Sequence, residues 1–168
     1  MFRLPSVELL LVSREGREGI VHVDRLGIGD VSQARETFAL MASVFDETNE
    51  PLSDDYLSAL LVRSEFWALA AMVGHVVVGG LTAHTLAMTN SQRSEVFLFD
   101  LAVDEHHQRK GVGRCLIQEL VKQTLAIGIE SVFLLADNVD THALDFYRSI
   151  GATSSAVTMF DLGSHPST

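Results

Sequence analysis

The 168 residues suffice for one domain with a substantial core, and a composition of 47% hydrophobic and 20% charged residues excludes a disordered chain. The 22 acidic and 12 basic residues leave a formal net charge of −10, which argues against general nucleic-acid binding and suits a cationic partner or plain solubility. The single cysteine, Cys115, allows no intramolecular disulfide, and no run approaches the roughly 18 apolar residues of a membrane helix.

Residues 1–18 are expected to be an N-terminal extension, either an added edge strand near 7–12 or a mobile tail, joined by a turn at 14–19. Glu8 interrupts the short apolar stretch and no small-residue cleavage site follows, so a signal peptide is rejected and a cytoplasmic protein is expected. The domain proper is taken as 19–163. Residues 20–25 alternate as a strand. Asp30 is placed to cap a helix on which Val31, Ala34, Phe38, Met41 and Phe45 share one face. The stretch 46–55 then holds five acids and no base. Two readings stand for it: a solvated loop whose Asp54 and Asp55 complement a helix dipole after a Ser53 cap, or an acidic wall beside a substrate.

A short helix near 54–63 precedes two strands, 66–73 and 76–86, joined at Gly74 and His75. Gly79 and Gly80 inside the second strand point to a bulge or a close backbone approach. Residues 95–103 read as a strand, 104–110 as a polar loop, and 111–127 as a helix with Leu116, Leu120, Val121 and Leu125 inward and Gly128 at its end. The pattern continues with a strand at 131–136, expected to be buried on both faces, and a loop at 137–140. A short helix at 141–149, a last strand at 153–162 and a frayed tail, 164–168, complete it. The order β-α-α-β-β-β-α-β-α-β gives a mixed α/β sheet with helices on both faces.

Residues Gln108, Arg109, Lys110, Gly111, Val112 and Gly113 carry the strongest local signal. A helix start offers N–H groups without internal partners, and two glycines remove side chains where phosphates would approach. The spacing is neither an ordinary P-loop nor the dinucleotide fingerprint, since Leu116 stands where the third glycine would be. Plain turn chemistry is the alternative, and the basic pair Arg109 and Lys110 in so acidic a chain favours the anion.

This Q-R-K-G-V-G run resembles the Q/R-x-x-G-x-G/A signature of the GNAT superfamily of N-acetyltransferases. Leu101, Ala102 and Val103 resemble the end of that family's central strand. Ala143, Phe146, Tyr147 and Gly151 resemble its downstream helix. Arg93, Ser94 and Glu95, the run from Asp100 to Val103, Ala136 with Asp137, and the region of Asp54, Asp55 and Tyr56 resemble the aminoglycoside 3-N-acetyltransferases (gentamicin acetyltransferases). The resemblance spans about residues 19–163. It implies the GNAT fold with a central, mostly antiparallel sheet, acetyl-CoA as cofactor, and transfer of acetyl to the 3-amino group of an aminoglycoside, with antibiotic resistance as the outcome. It also implies cofactor contacts from Leu101, Ala102, Val103, Gln108, Arg109, Lys110, Gly111, Val112, Gly113 and Arg114, with Asn138 reaching the pantetheine arm. A homodimer is expected for such a domain.

Transfer from a thioester to an amine needs a base for the ammonium, N–H donors for the oxyanion and a proton for the departing thiolate. Asp100 is the expected base, because an acid between Phe99 and Leu101 in mid-strand is costly unless hydrogen-bonded or used. A carboxylate merely satisfied by backbone or arginine is the structural alternative. Glu95 is the second candidate base or a substrate contact, on the opposite face from Asp100 unless a bulge intervenes. Tyr147 is the expected acid, given the resemblance; otherwise it is a core aromatic. Asp137 is expected to hold a substrate ammonium or to cap its own turn. Substrate contacts are thus assigned to Asp100, Asp137, Glu95, Asp54, Asp55 and Tyr56. Asp140 and Ser149 depart from the superfamily pattern, which often has Asn and a basic residue there. No histidine spacing suits a metal, and none is expected. Cys115 is expected to be a packing residue. Two further readings remain: acetylation of a polyamine, another small amine or a protein amine, and a non-catalytic acetyl-CoA-binding module.

Overall fold

The computed structural model describes residues 8–12, 18–48, 50–160, 162 and 163. The expected turn after residue 13 lies largely outside them, as does the tail 164–168. The chain forms two compact units, one up to Leu135 and one from Ala136 onward.

The first unit is a six-stranded sheet in the order β1 (Glu8–Val12), β2 (Glu18–Arg25), β3 (Phe66–Val73), β4 (Val76–Ala87), β5 (Ser94–Val103) and β6 (Ser131–Leu134). Every pairing is antiparallel except β5 with β6, which is parallel. The edge-strand alternative for the N-terminal extension is therefore the one observed at residues 8–12. Between β2 and β3 come α1 (Val31–Val44) and α2 (Asp54–Leu61); α3 (Val112–Ala126) joins β5 to β6.

Alternation in β3 shows how the layers are divided. Trp67, Leu69 and Ala71 pack with Leu116 and Leu120 of α3 in the main core. Phe66, Ala68 and Ala70 pack with Ala34 of α1 and Leu57 of α2 in a second core. Helices therefore cover both faces, and β3 reads as a continuous buried run because both of its sides are used. The glycine pair in β4 serves both expected purposes. A β-bulge falls there, with Ala71 opposite Gly79 and Met72 opposite Val77. A Cβ at Gly80 would lie 2.5 Å from Thr37 and 2.7 Å from the Met41 sulfur of α1, so glycine lets that helix lie close to the sheet.

Some details differ from the sequence reading. On α1, Ala34, Thr37 and Met41 are buried, whereas Phe45 sits past the helix end and is exposed. Asp30 stands at the N-cap position, but its carboxylate accepts from the Gly27 N–H (2.8 Å) and caps nothing within the helix. On α3, Leu125 is exposed, and Thr124 and Glu119 are buried in its stead. Strand β6 is not buried on both faces. It alternates, with Val132 and Leu134 packed on the main core and Ser131 and Phe133 exposed.

The second unit holds α4 (Thr141–Ser149), capped by Asp140, whose carboxylate accepts from the Ala143 N–H at 2.9 Å. The expected strand at 153–162 is not formed: residues 152–160 have no regular structure and are exposed throughout. Its β-branched and apolar residues carry strand propensity, but a strand requires a ladder, and none pairs with this segment among the described residues.

Candidate active site

The loop before α3, the expected anion site, turns at a glycine. Gly111 is left-handed (φ 89°) and is the N-cap of α3, so no side chain occupies the cap. Arg109 is also left-handed (φ 59°), an uncommon conformation for a residue with a Cβ. Alternating handedness of this kind turns successive N–H groups toward one concavity, and the positive end of a 15-residue helix adds to it. Gln108 ties the loop to the strand before it by donating to the Val103 carbonyl (3.1 Å). Asp104 accepts from the His106 N–H (3.0 Å) and meets His107 Nδ1 at 2.9 Å. The His107 bond holds the Asp104 carboxyl below its usual range. His106 and His107 thus brace the loop's entry, in a short 3-10 turn, Glu105–His107. The exposed Arg109 and the half-buried Lys110 give the loop two positive charges.

The strand leading into this loop has an open edge. β6 pairs with β5 only from Glu95 to Leu98, whereas β5 continues to Val103 paired with β4 alone. Among the described residues, Phe99 to Val103 therefore face no strand on the β6 side. An extended chain bearing amides can add there as a strand would. Leu101, Ala102 and Val103 lie on this edge, next in sequence to the phosphate loop. A loop of open N–H groups beside an open strand edge fits a pyrophosphate joined to a pantetheine arm.

A second β-bulge decides where Asp100 points. Thr82 pairs with Asp100 and Ala83 with Leu98, so Phe99 is the extra residue. Before the bulge, Val96 and Leu98 face α3; after it, Leu101 and Val103 do. Asp100 is thereby turned to the α1 face, which Glu95 and Phe97 also share. Glu95 nonetheless lies five residues up the strand, about 15 Å away. There it accepts from Ser131 (3.1 Å) and lines a cleft of about 410 Å³ with Arg93 and Glu130.

Asp100 accepts a hydrogen bond from the Thr82 hydroxyl (3.3 Å). Burial pushes its carboxyl above the ordinary range, Thr82 opposes that, Glu47 adds to it, and His84 opposes it again. A raised carboxylate is a stronger base, which suits removal of a proton from an ammonium. Glu47 owes its place to the end of α1: Asp46 is left-handed (φ 55°), and the Glu47 N–H donates back to Ala42 (2.9 Å) in a Schellman-type stop.

The remaining expected residues fall in different settings. Asp54 is ion-paired with Arg35 of α1, which also donates to the Leu52 carbonyl, so its first task is to fasten α2 to α1. Ser53 caps α2 by accepting from the Tyr56 N–H (3.2 Å), and Asp55 and Tyr56 are exposed on the first turn. Asp137, Asn138 and Tyr147 belong to the second unit. Asp137 accepts from the Val139 N–H (3.1 Å), the turn-capping alternative, and Asn138 is exposed. Burial, and after it Asp140, push the Tyr147 phenol above its ordinary range, so it is protonated at neutral pH. Cys115 is buried in the main core, which raises its thiol; it packs rather than attacks.

Thr82, His84 and the bulged Phe99 were missed by sequence reasoning. The signal for the first two was the polar alternation Thr82, His84 along β4. No signal marks the bulge, because Phe97, Leu98 and Phe99 are all apolar. Among the described residues, no group of three His, Cys, Asp or Glu could hold a metal ion, and no helix is long and apolar enough to cross a membrane.

The model of the Acetyltransferase (GNAT) family matches residues 33–152. The chain belongs to this family. Acetyl-CoA is the cofactor of GNAT acetyltransferases, and the loop and strand edge described above are where it would fit. The chain is similar to the aminoglycoside acetyltransferase meta-AAC0020 from an uncultured soil metagenomic sample, solved in complex with sisomicin. The identity is 31% and the TM-score 0.81, covering 87% of this chain and 97% of that one. A second soil-metagenome aminoglycoside acetyltransferase, HMB0005, is 30% identical with a TM-score of 0.79, over 86% and 99% of the two chains. Among curated proteins, the [ribosomal protein bS18]-alanine N-acetyltransferase of Escherichia coli K12 is 30% identical over 71 residues, 42% of this chain and 48% of that protein. The chain spans about half the length of the curated relatives it matches.

Proposed function

We propose that this GNAT protein is an aminoglycoside 3-N-acetyltransferase. The observation that carries the reading is Asp100: a half-buried carboxylate with a raised pKa, turned by a bulge onto the α1 face and reinforced by Glu47. Likeness to two aminoglycoside acetyltransferases over nearly their whole length supports the acceptor class.

Acetyl-CoA supplies an acetyl group already activated as a thioester. Gln108, Arg109, Lys110 and the N–H groups from Gly111 to Arg114 would hold its phosphates, and the edge at Leu101, Ala102 and Val103 would orient the arm, with Asn138 as a further candidate contact. Asp100 would take the proton from the attacking ammonium, and the family resemblance assigns to Tyr147, whose phenol is protonated at neutral pH, the role of proton donor to the leaving thiolate. Glu95, Asp55, Tyr56 and Asp137 are proposed as further acceptor contacts, with Asp54 contributing through its ion pair. The proposed catalytic domain is 19–163, in a cytoplasmic homodimer whose activity confers aminoglycoside resistance.

A second reading, acetylation of an alanine of a protein, is favoured by the curated relatives. Thiol release from acetyl-CoA with gentamicin, kanamycin, spermidine or an alanine-initiated peptide separates the two. Turnover with the aminoglycosides, and product NMR placing the acetyl group on the 3-amine, is the expected result. Turnover confined to the peptide would replace it with the second reading.

A further inference from the structure

The face that carries Asp100 also carries a row of aromatic rings that begins in the second core and runs out beyond it to solvent. Phe38 of α1 meets Phe66 edge-on at 6.3 Å, Phe66 meets His84 at 5.3 Å, and His84 meets Phe99 at 5.9 Å. Phe99 meets Phe97 at 5.8 Å, and Phe97 stacks on Phe133 of β6 at 5.2 Å. At the α1 end the row is buried. At the other end it is open: Phe99 is 60% exposed and Phe133 39% exposed. Large apolar rings exposed side by side at a sheet edge form a patch that ordinarily marks a binding surface.

The bulge places Phe99 and Asp100 side by side on one face. An apolar ring surface is thus joined to a carboxylate, with Glu47 adding negative charge near it. That combination recognises one kind of molecule. A saturated amino-sugar or aminocyclitol ring presents a flat array of C–H bonds that stacks on an aromatic face, and its ammonium groups point outward to carboxylates or over the rings themselves. A linear polyamine has the charges without the flat face.

Building on the function proposed above, we infer that Phe99, supported by Phe97 and Phe133, is a specificity wall that selects ring-shaped polyammonium acceptors over linear ones. His84, itself packed against Phe66, and Phe97 both meet the Phe99 ring edge-on. Phe99 contributes affinity for the acceptor, while the proton transfer remains with Asp100.

The test is steady-state kinetics of wild type, Phe99→Ala and Phe99→Trp with gentamicin, sisomicin, spermidine and an alanine-initiated peptide, with oligomeric state and thermal unfolding measured in parallel. Phe99 is largely exposed, so both variants are expected to fold. Phe99→Ala should raise KM for the aminoglycosides about 3- to 30-fold, change kcat and the KM for acetyl-CoA far less, and leave the KM for spermidine nearly where it was. Phe99→Trp should restore most of the aminoglycoside affinity. A wild type that acetylates aminoglycosides, with a Phe99→Ala variant of unchanged KM, overturns the wall and leaves the function standing. An equal loss for rings and linear amines, or a variant that dissociates a wild-type dimer, also overturns it, the latter making this surface a contact between copies. A wild type that acetylates only spermidine or the peptide overturns both the function and the wall.

Discussion

The two faces of the sheet use the same strands for opposite ends. The α3 face is closed: Trp67, Leu81, Val96, Leu116 and Leu120 are almost fully buried, and even its cysteine is packing. The α1 face is closed at Gly80, where the helix lies against the strand, and open from Phe99 to Phe133, where carboxylate and rings meet solvent. One extra residue in β5 separates these outcomes. Without the bulge, Asp100 would share the parity of Val96 and Leu98 and enter the α3 core, where an unpaired carboxylate is strongly unfavourable. The lesson is that a carboxylate in mid-strand stays out of the core if the strand changes face just before it.

The largest expected effect comes from removing the charge on the open face. Asp100→Asn should lower kcat/KM for an aminoglycoside by about 10²- to 10⁴-fold while leaving acetyl-CoA affinity intact. It should also stabilise the fold at neutral pH. Burial raises the Asp100 pKa, so its favourable contribution is full below the unfolded carboxylate range and is lost as pH rises through the folded value. The variant's Tm should therefore exceed wild type at pH 7, and the difference should vanish in acid.

Next is the closed end of the same face. Gly80→Ala forces a Cβ against Thr37 and Met41 and should destabilise by about 1–3 kcal/mol in urea titration. A smaller and more pointed pair concerns the pH profile. Glu47→Gln removes a charge that raises the Asp100 pKa, so the acid limb of kcat/KM should move to lower pH. Thr82→Val removes a hydrogen bond that lowers it, so the limb should move to higher pH. Shifts in the same direction would contradict the assignment of Asp100 as the titrating base. Smallest is Asp46→Gly, which relieves a left-handed residue at the α1 stop and should add about 0.4–1 kcal/mol to unfolding stability.

Much of this was legible in the sequence because it is written locally. The start of α3 needs a left-handed glycine at its cap, the Ser53 cap needs its position before Asp54, and α4 begins and ends at the expected residues. What escaped depends on partners remote in the chain. The Phe99 bulge is fixed by pairing with β4, and an unbroken apolar run has no period to reveal it. Asp54 reads as a free acid until Arg35, nineteen residues earlier, is folded beside it. Residues 153–162 have the composition of a strand, yet strand propensity is only realised against a neighbour, and β6 is left as an exposed edge strand.

The most direct measurement compares wild type with Asp100→Asn, reading thiol release with sisomicin and acetyl-CoA binding by calorimetry on the same preparations. The wild type should turn over the aminoglycoside, and the variant should bind acetyl-CoA equally well yet lose at least two orders of magnitude in turnover. A variant as active as wild type would show that the carboxylate on the open face is not the base.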